Sequence, residues 1–60
     1  MTYDELLDKV YDEKIDLYTN YIGKFKGLYI EDTITLNSSL ENNAERKCVL
    51  AEELGHHYTS

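Results

Sequence analysis

Gly27-Leu28-Tyr29-Ile30-Glu31-Asp32-Thr33-Ile34-Thr35-Leu36 is the stretch on which the fold turns. Leu28, Ile30, Ile34 and Leu36 form one apolar set with Tyr29, Thr33 and Thr35 between them, the period of two that strands require. Glu31 and Asp32 fall in the middle, where a tight turn would join two short antiparallel strands, although neither is the Asn-Gly or Asp-Gly pair such turns favour. Gly23 and Gly27 bracket a Lys-Phe-Lys connection ahead of the first strand.

Upstream, Thr2 followed by Glu5 has capping-box spacing. Tyr3, Leu6, Leu7, Val10, Tyr11, Leu17, Tyr18, Tyr21 and Ile22 then fall close to three-and-four spacing, which predicts one amphipathic helix with its tyrosines at the core edge. Its opposite side carries Asp4, Asp8, Asp12, Glu13 and Asp16, an acidic run that reads as a solvated face. Downstream, Asn37, Ser38, Ser39, Asn42 and Asn43 supply loop and capping chemistry before a second long helix beginning near Ala44. There Ala44, Cys48, Ala51, Gly55 and Tyr58 share one face, broadened by Leu50 and Leu54, and the segment is expected to be largely buried. The expected fold is therefore α+β: helix, two-stranded antiparallel β-hairpin, helix. Leu6, Val10, Leu28, Ile30, Leu36, Val49, Leu50 and Leu54 are expected to share its core.

A chain of 60 residues makes one domain, which at this size buries roughly 60% of the surface its unfolded form exposes. Burial at about 25 cal/mol per Å² is nearly cancelled by about 1.5 kcal/mol of ordering entropy per residue, so a metal, a disulfide or a partner is usually needed. One Cys excludes an internal disulfide, and Cys48 in an apolar helical stretch reads as a buried thiol in a reducing compartment. No secretory signal is visible. The net charge of -6, with six scattered Lys and Arg, argues against sequence-independent nucleic-acid binding. Apolar runs fall far short of the ~20 residues that span a bilayer, and no basic amphipathic face suggests a surface anchor. A soluble cytoplasmic chain is expected.

The chemistry lies on the second helix. Glu45, Val49, Glu52, His56 and Ser60 line up along a stripe of their own, with Glu53 and His57 displaced by about 100° per residue from Glu52 and His56. Glu52 and His56, four apart, can both reach one ion, and Glu53 stands beside it. A metalloprotease helix uses two His at this spacing with a Glu after the first, the Glu taking a proton from water and returning it to the leaving amine. Here Glu52 occupies the first His position; a carboxylate also binds zinc, so the change is chemically admissible. Acids and histidines in this order also occur as ordinary charge on a solvated face. Gly55 weighs the other way: glycine costs a helix interior about 1 kcal/mol, and close packing against a strand or the first helix would compensate.

The run Cys48-Val49-Leu50-Ala51-Glu52-Glu53-Leu54-Gly55-His56-His57-Tyr58 resembles the signature helix of the ImmA/IrrE metallopeptidases, in which an apolar run leads into His-Glu-Leu-Gly-His. Gly27-Leu28-Tyr29-Ile30 and Ile34-Thr35-Leu36-Asn37-Ser38-Ser39-Leu40 are similar to that family's strands and its asparagine-containing loop. The resemblance covers roughly residues 27–59 and is most specific from Ala51 to His57. It implies a zincin-like fold, of which residues 1–60 would be a partial domain lacking its C-terminal part. It implies a zinc-dependent endopeptidase, encoded by bacterial mobile elements or phages, that promotes cleavage of a helix-turn-helix repressor. By resemblance His56 is a metal ligand, Glu53 the general base, and Glu52 the residue in the first ligand position. His57 lies beyond the core motif, as a supporting residue or an alternative ligand.

Two departures shape the expectations. The third protein ligand, expected on a later helix, has no counterpart, so the 60 residues should bind zinc weakly or not at all unless a second copy lends a donor. Glu52 is a harder, more anionic donor than His, which favours manganese relative to zinc and moves the pH optimum upward. A repressor- or antirepressor-binding protein without turnover is the reading from a different class. A structural fragment with no binding role is a third.

Overall fold

The computed structural model describes residues 2–59. Ser60, aligned by spacing with Glu52 and His56, lies outside the described residues. Helix α1 runs Tyr3–Asp12 with Leu6 and Val10 buried. Thr2 caps it as its spacing predicts: Thr2 Oγ1 accepts from Glu5 N at 3.2 Å and Glu5 Oε1 accepts from Thr2 N at 2.9 Å. The backbone N–H of Thr2 holds the Glu5 carboxyl below its ordinary value.

The helix expected to continue to Ile22 stops here. Lys14 takes a left-handed φ of 57°, Ile15 N–H reaches the Val10 carbonyl at 3.0 Å, and Lys14 N–H reaches that of Tyr11 at 3.1 Å. This pair of bonds is the Schellman closure, with Val10 and Ile15 both in the core. Beyond it, strand β1 spans Asp16–Asn20. Leu17, Tyr18 and Tyr21 keep three-and-four spacing, but pairing with a neighbouring strand overrode the helical reading. Lys14 lacks the glycine this position favours. Lys14→Gly should therefore raise stability by about 0.5–1 kcal/mol, read as a higher urea midpoint; a lower midpoint would mean the closure is not formed.

Strand β2 is Gly27–Ile30 and strand β3 is Thr33–Asn37, joined by the expected hairpin. Glu31 and Asp32 have φ of 49° and 60°, and positive φ at both central residues is the signature of a type I′ turn. The sheet is not a lone hairpin: it has three strands in the order β1-β3-β2, with β1 parallel to β3.

Ile30 pairs with Thr33 and Leu28 with Thr35. Even-numbered residues of β2 therefore share a face with odd-numbered residues of β3. Ile34 and Leu36 turn inward and are fully buried, whereas Ile30 is 61% exposed and Leu28 half-buried on the outer face. The expectation that Leu28 and Ile30 join the core treated the two strands as one continuous alternation. Asn37 is buried: its side chain donates to the carbonyls of Gly23 and Phe25 and accepts from Ser39 N. The Lys-Phe-Lys connection is thereby pinned over the end of the sheet.

Helix α2 spans Asn43–Thr59, with Asn42 Oδ1 accepting from Glu45 N at 2.9 Å as its cap. Its buried line is Val49, Leu50, Glu53 and Leu54. Ala44, Cys48, Ala51, Gly55 and Tyr58, expected inside, are exposed. Burial energy scales with apolar area, so the branched side chains one position away take the core and the small ones face outward. Cys48 is consequently an exposed thiol and not a buried one. Tyr3 sits at the core edge as expected and Tyr29, read as lying between the apolar strand positions, packs there too, whereas Tyr11, Tyr18, Tyr21 and Tyr58 are exposed. Both helices pack on the inner face of the sheet, and Ile15, Ile34 and Leu40 complete the core with Leu6, Val10, Leu36, Val49, Leu50 and Leu54. Among the described residues no helix is long and apolar enough to cross a membrane.

Candidate functional site

At Gly27 sheet and helix approach each other closely. A Cβ on it would lie 2.5 Å from Val49 Cγ1 and 3.1 Å from Glu53 Oε2. The absence of a side chain lets α2 lay Val49 and Glu53, one turn apart, against the start of β2. Gly27→Ala should therefore cost about 1–3 kcal/mol through overpacking. Gly55, expected to be packed closely, has open space around its Cβ position, and Gly55→Ala should gain up to about 1 kcal/mol from helix propensity. Paired urea melts read both signs; equal shifts would contradict the placement of α2.

Glu53 is buried, its side chain 10% exposed. Burial raises its carboxyl above the ordinary value, the neighbouring Glu52 charge adds to the rise, and His56 opposes it. His56 Nε2 stands 3.8 Å from Glu53 Oε1, beyond hydrogen-bond range, with its ring 69% exposed. Glu52 is exposed one turn before His56.

His57 faces a different set of partners. Its Nδ1 is 2.7 Å from Tyr29 Oη and 3.6 Å from Asp32 Oδ1, and its Nε2 is 3.2 Å from Glu13 Oε1. Tyr29 Oη also donates to Asp32 Oδ1 at 2.9 Å, and its phenol is raised above its ordinary value by burial and then by Asp32. The His57 ring packs edge-on against Tyr29 and Tyr58. It ties the end of α2 to the hairpin turn and to the cap of α1. Nothing in the sequence spacing announces these contacts, because Tyr29 and His57 are 28 positions apart.

Strand β2 is an edge of the sheet. The Lys26 carbonyl accepts from Asn37 N at 2.9 Å, so in the antiparallel ladder residues 26, 28 and 30 bond to β3. Gly27 and Tyr29 then turn their N–H and C=O groups to the free edge. These are the same two residues that α2 touches, through Glu53 at Gly27 and His57 at Tyr29.

A metal fits this site in part. Glu52 and His56 offer two accessible donors one turn apart, but among the described residues no group of three or more His, Cys, Asp or Glu side chains could hold an ion. Comparison of the chain with protein-family models, with curated proteins and with solved structures finds no match.

Proposed function

We propose that this chain is a module of a metal-dependent endopeptidase that cuts an extended protein segment paired to the free edge of β2. One observation carries the reading: a buried carboxylate, Glu53, raised by its burial, lies against the edge strand and 3.8 Å from His56. Glu53 is the general base, taking a proton from the attacking water and returning it to the leaving amine. Glu52 and His56 are the metal ligands, completed by a donor from outside the described residues. Zinc, when bound, supplies the positive charge that polarises the peptide carbonyl. The resemblance to the ImmA/IrrE family supports a helix-turn-helix repressor as substrate, a phage or mobile element as source, and the cytoplasm as location.

The free edge also favours a second reading, in which the chain holds a repressor or antirepressor without cutting it, because strand pairing needs no metal. Zinc titration followed by NMR tests the ligand assignment. Two protein donors should give weak binding that perturbs His56 and Glu52 while the His57 ring keeps its contacts, and either His56→Ala or Glu52→Ala should abolish it. Tight stoichiometric binding that survives both substitutions would overturn the assignment.

A further inference from the structure

An open groove of about 330 Å³ runs along the first half of α2. Leu40, Ala44, Cys48 and Val49 line it together with the charged Lys26, Glu45 and Glu52. Lys26 immediately precedes β2, Val49 is the side chain that Gly27 admits, and Glu52 is the first ligand position of the proposed site. The groove therefore opens where the free edge of β2 begins.

Resting on the peptidase reading, we infer that this groove receives an apolar side chain of the bound peptide, from the residue paired opposite Gly27. Residues directly opposite in a ladder point to the same face. Gly27 faces α2, so the peptide residue opposite it points toward α2 and into the groove, while the residue opposite Leu28 points away. In a peptide added parallel to β2, the peptide bond that follows runs toward Tyr29, past Glu53. The exposed lining surface is mostly apolar and carries two carboxylates, Glu45 and Glu52, against one ammonium, Lys26, so a further carboxylate there is costly, and a leucine or similar side chain is the class selected.

Cys48 makes the groove measurable without any turnover, because its thiol is exposed and lies in the lining. The probe is a capped extended pentapeptide with central leucine, acetyl-Thr-Val-Leu-Val-Thr-amide, against the same peptide with central aspartate. Iodoacetamide alkylation of Cys48 and the amide shifts of Gly27 and Tyr29 are read on the 60-residue chain. At a concentration occupying about nine-tenths of sites, the leucine peptide should slow alkylation about tenfold, since only the free fraction reacts. The aspartate peptide should slow it little. Ala44→Trp, which fills the groove from an exposed position, should remove the leucine preference while Gly27 and Tyr29 still respond.

Response of Gly27 and Tyr29 with no protection of Cys48, or equal protection by both peptides, would overturn the groove assignment and leave edge binding intact. Protection of Cys48 with silent Gly27 and Tyr29 amides would overturn it too, making the groove a separate apolar site. Silence in both readouts would remove the groove and the edge together.

Discussion

Leu50→Ala is expected to unfold the chain at 25 °C. Leu50 is fully buried on α2, in one cluster with Ile34 and Leu36 of the central strand and with Leu6 and Val10 of α1. Truncating a leucine at such a site costs about 2–5 kcal/mol, in lost transfer energy and in the cavity left behind. A domain of this size rarely has more than about 3–5 kcal/mol to lose. The expected result is loss of the cooperative urea transition and of the far-ultraviolet helical signal. Ala51→Ser, next along the same helix but exposed, should change stability by less than about 0.5 kcal/mol. A cooperative Leu50→Ala melt close to that of the parent would mean the core is not centred on this side chain.

Glu53→Gln should lower peptide cleavage by about 10²–10⁴-fold, the usual worth of a positioned general base, while making the metal-free fold more stable at neutral pH. The two effects come from one fact. Burial raises the Glu53 carboxyl in the folded state above its unfolded value. The stability associated with the neutral form is therefore fully present below the unfolded pKa and is lost as pH rises through the folded value. Glutamine keeps the shape and removes the charge, so it removes that loss. Stability of the parent should fall with rising pH across this window, and the variant should lack this contribution to the fall. A variant that is both inactive and destabilised at neutral pH would mark Glu53 as a structural residue.

The helix starts and the hairpin were readable because each rests on local chemistry. Thr2 with Glu5, the acceptor at Asn42, and the turn at Glu31-Asp32 each act within a few positions. What could not be read locally is pairing. Strand β1 exists because Leu17 and Thr19 stand beside Ile34 and Leu36 of β3, and single-chain periodicity does not reveal that neighbour. The facing of Leu28 and Ile30 was a parity matter: a two-residue turn puts residues whose numbers sum to an odd value side by side, and 30 against 33 reverses the naive alignment. On α2 the small residues looked like a packing face, but the area of Val49, Leu50 and Leu54 outweighs theirs.

For the candidate site, spacing placed Glu52 and His56 on one stripe of α2 with Glu53 displaced to one side, and in the structure Glu53 Oε1 stands 3.8 Å from His56 Nε2. The burial of Glu53 was not visible in the sequence, since it depends on Gly27 contributing no side chain to the seam between β2 and α2. A glycine opening a strand was the available signal, because such residues mark close approach of a neighbouring element. The free edge of β2 likewise follows from strand order, which a hairpin alone does not give.

The most direct measurement is mass spectrometry of a helix-turn-helix repressor incubated with the protein and zinc in heavy-oxygen water. A pair of new termini is expected, with one heavy oxygen in the new carboxyl group, as hydrolysis by an attacking water requires. Both should vanish in Glu53→Gln while the amides of Gly27 and Tyr29 still respond to the repressor. An intact repressor that nonetheless binds the β2 edge, or cleavage undiminished in Glu53→Gln, would contradict a peptidase centred on Glu53.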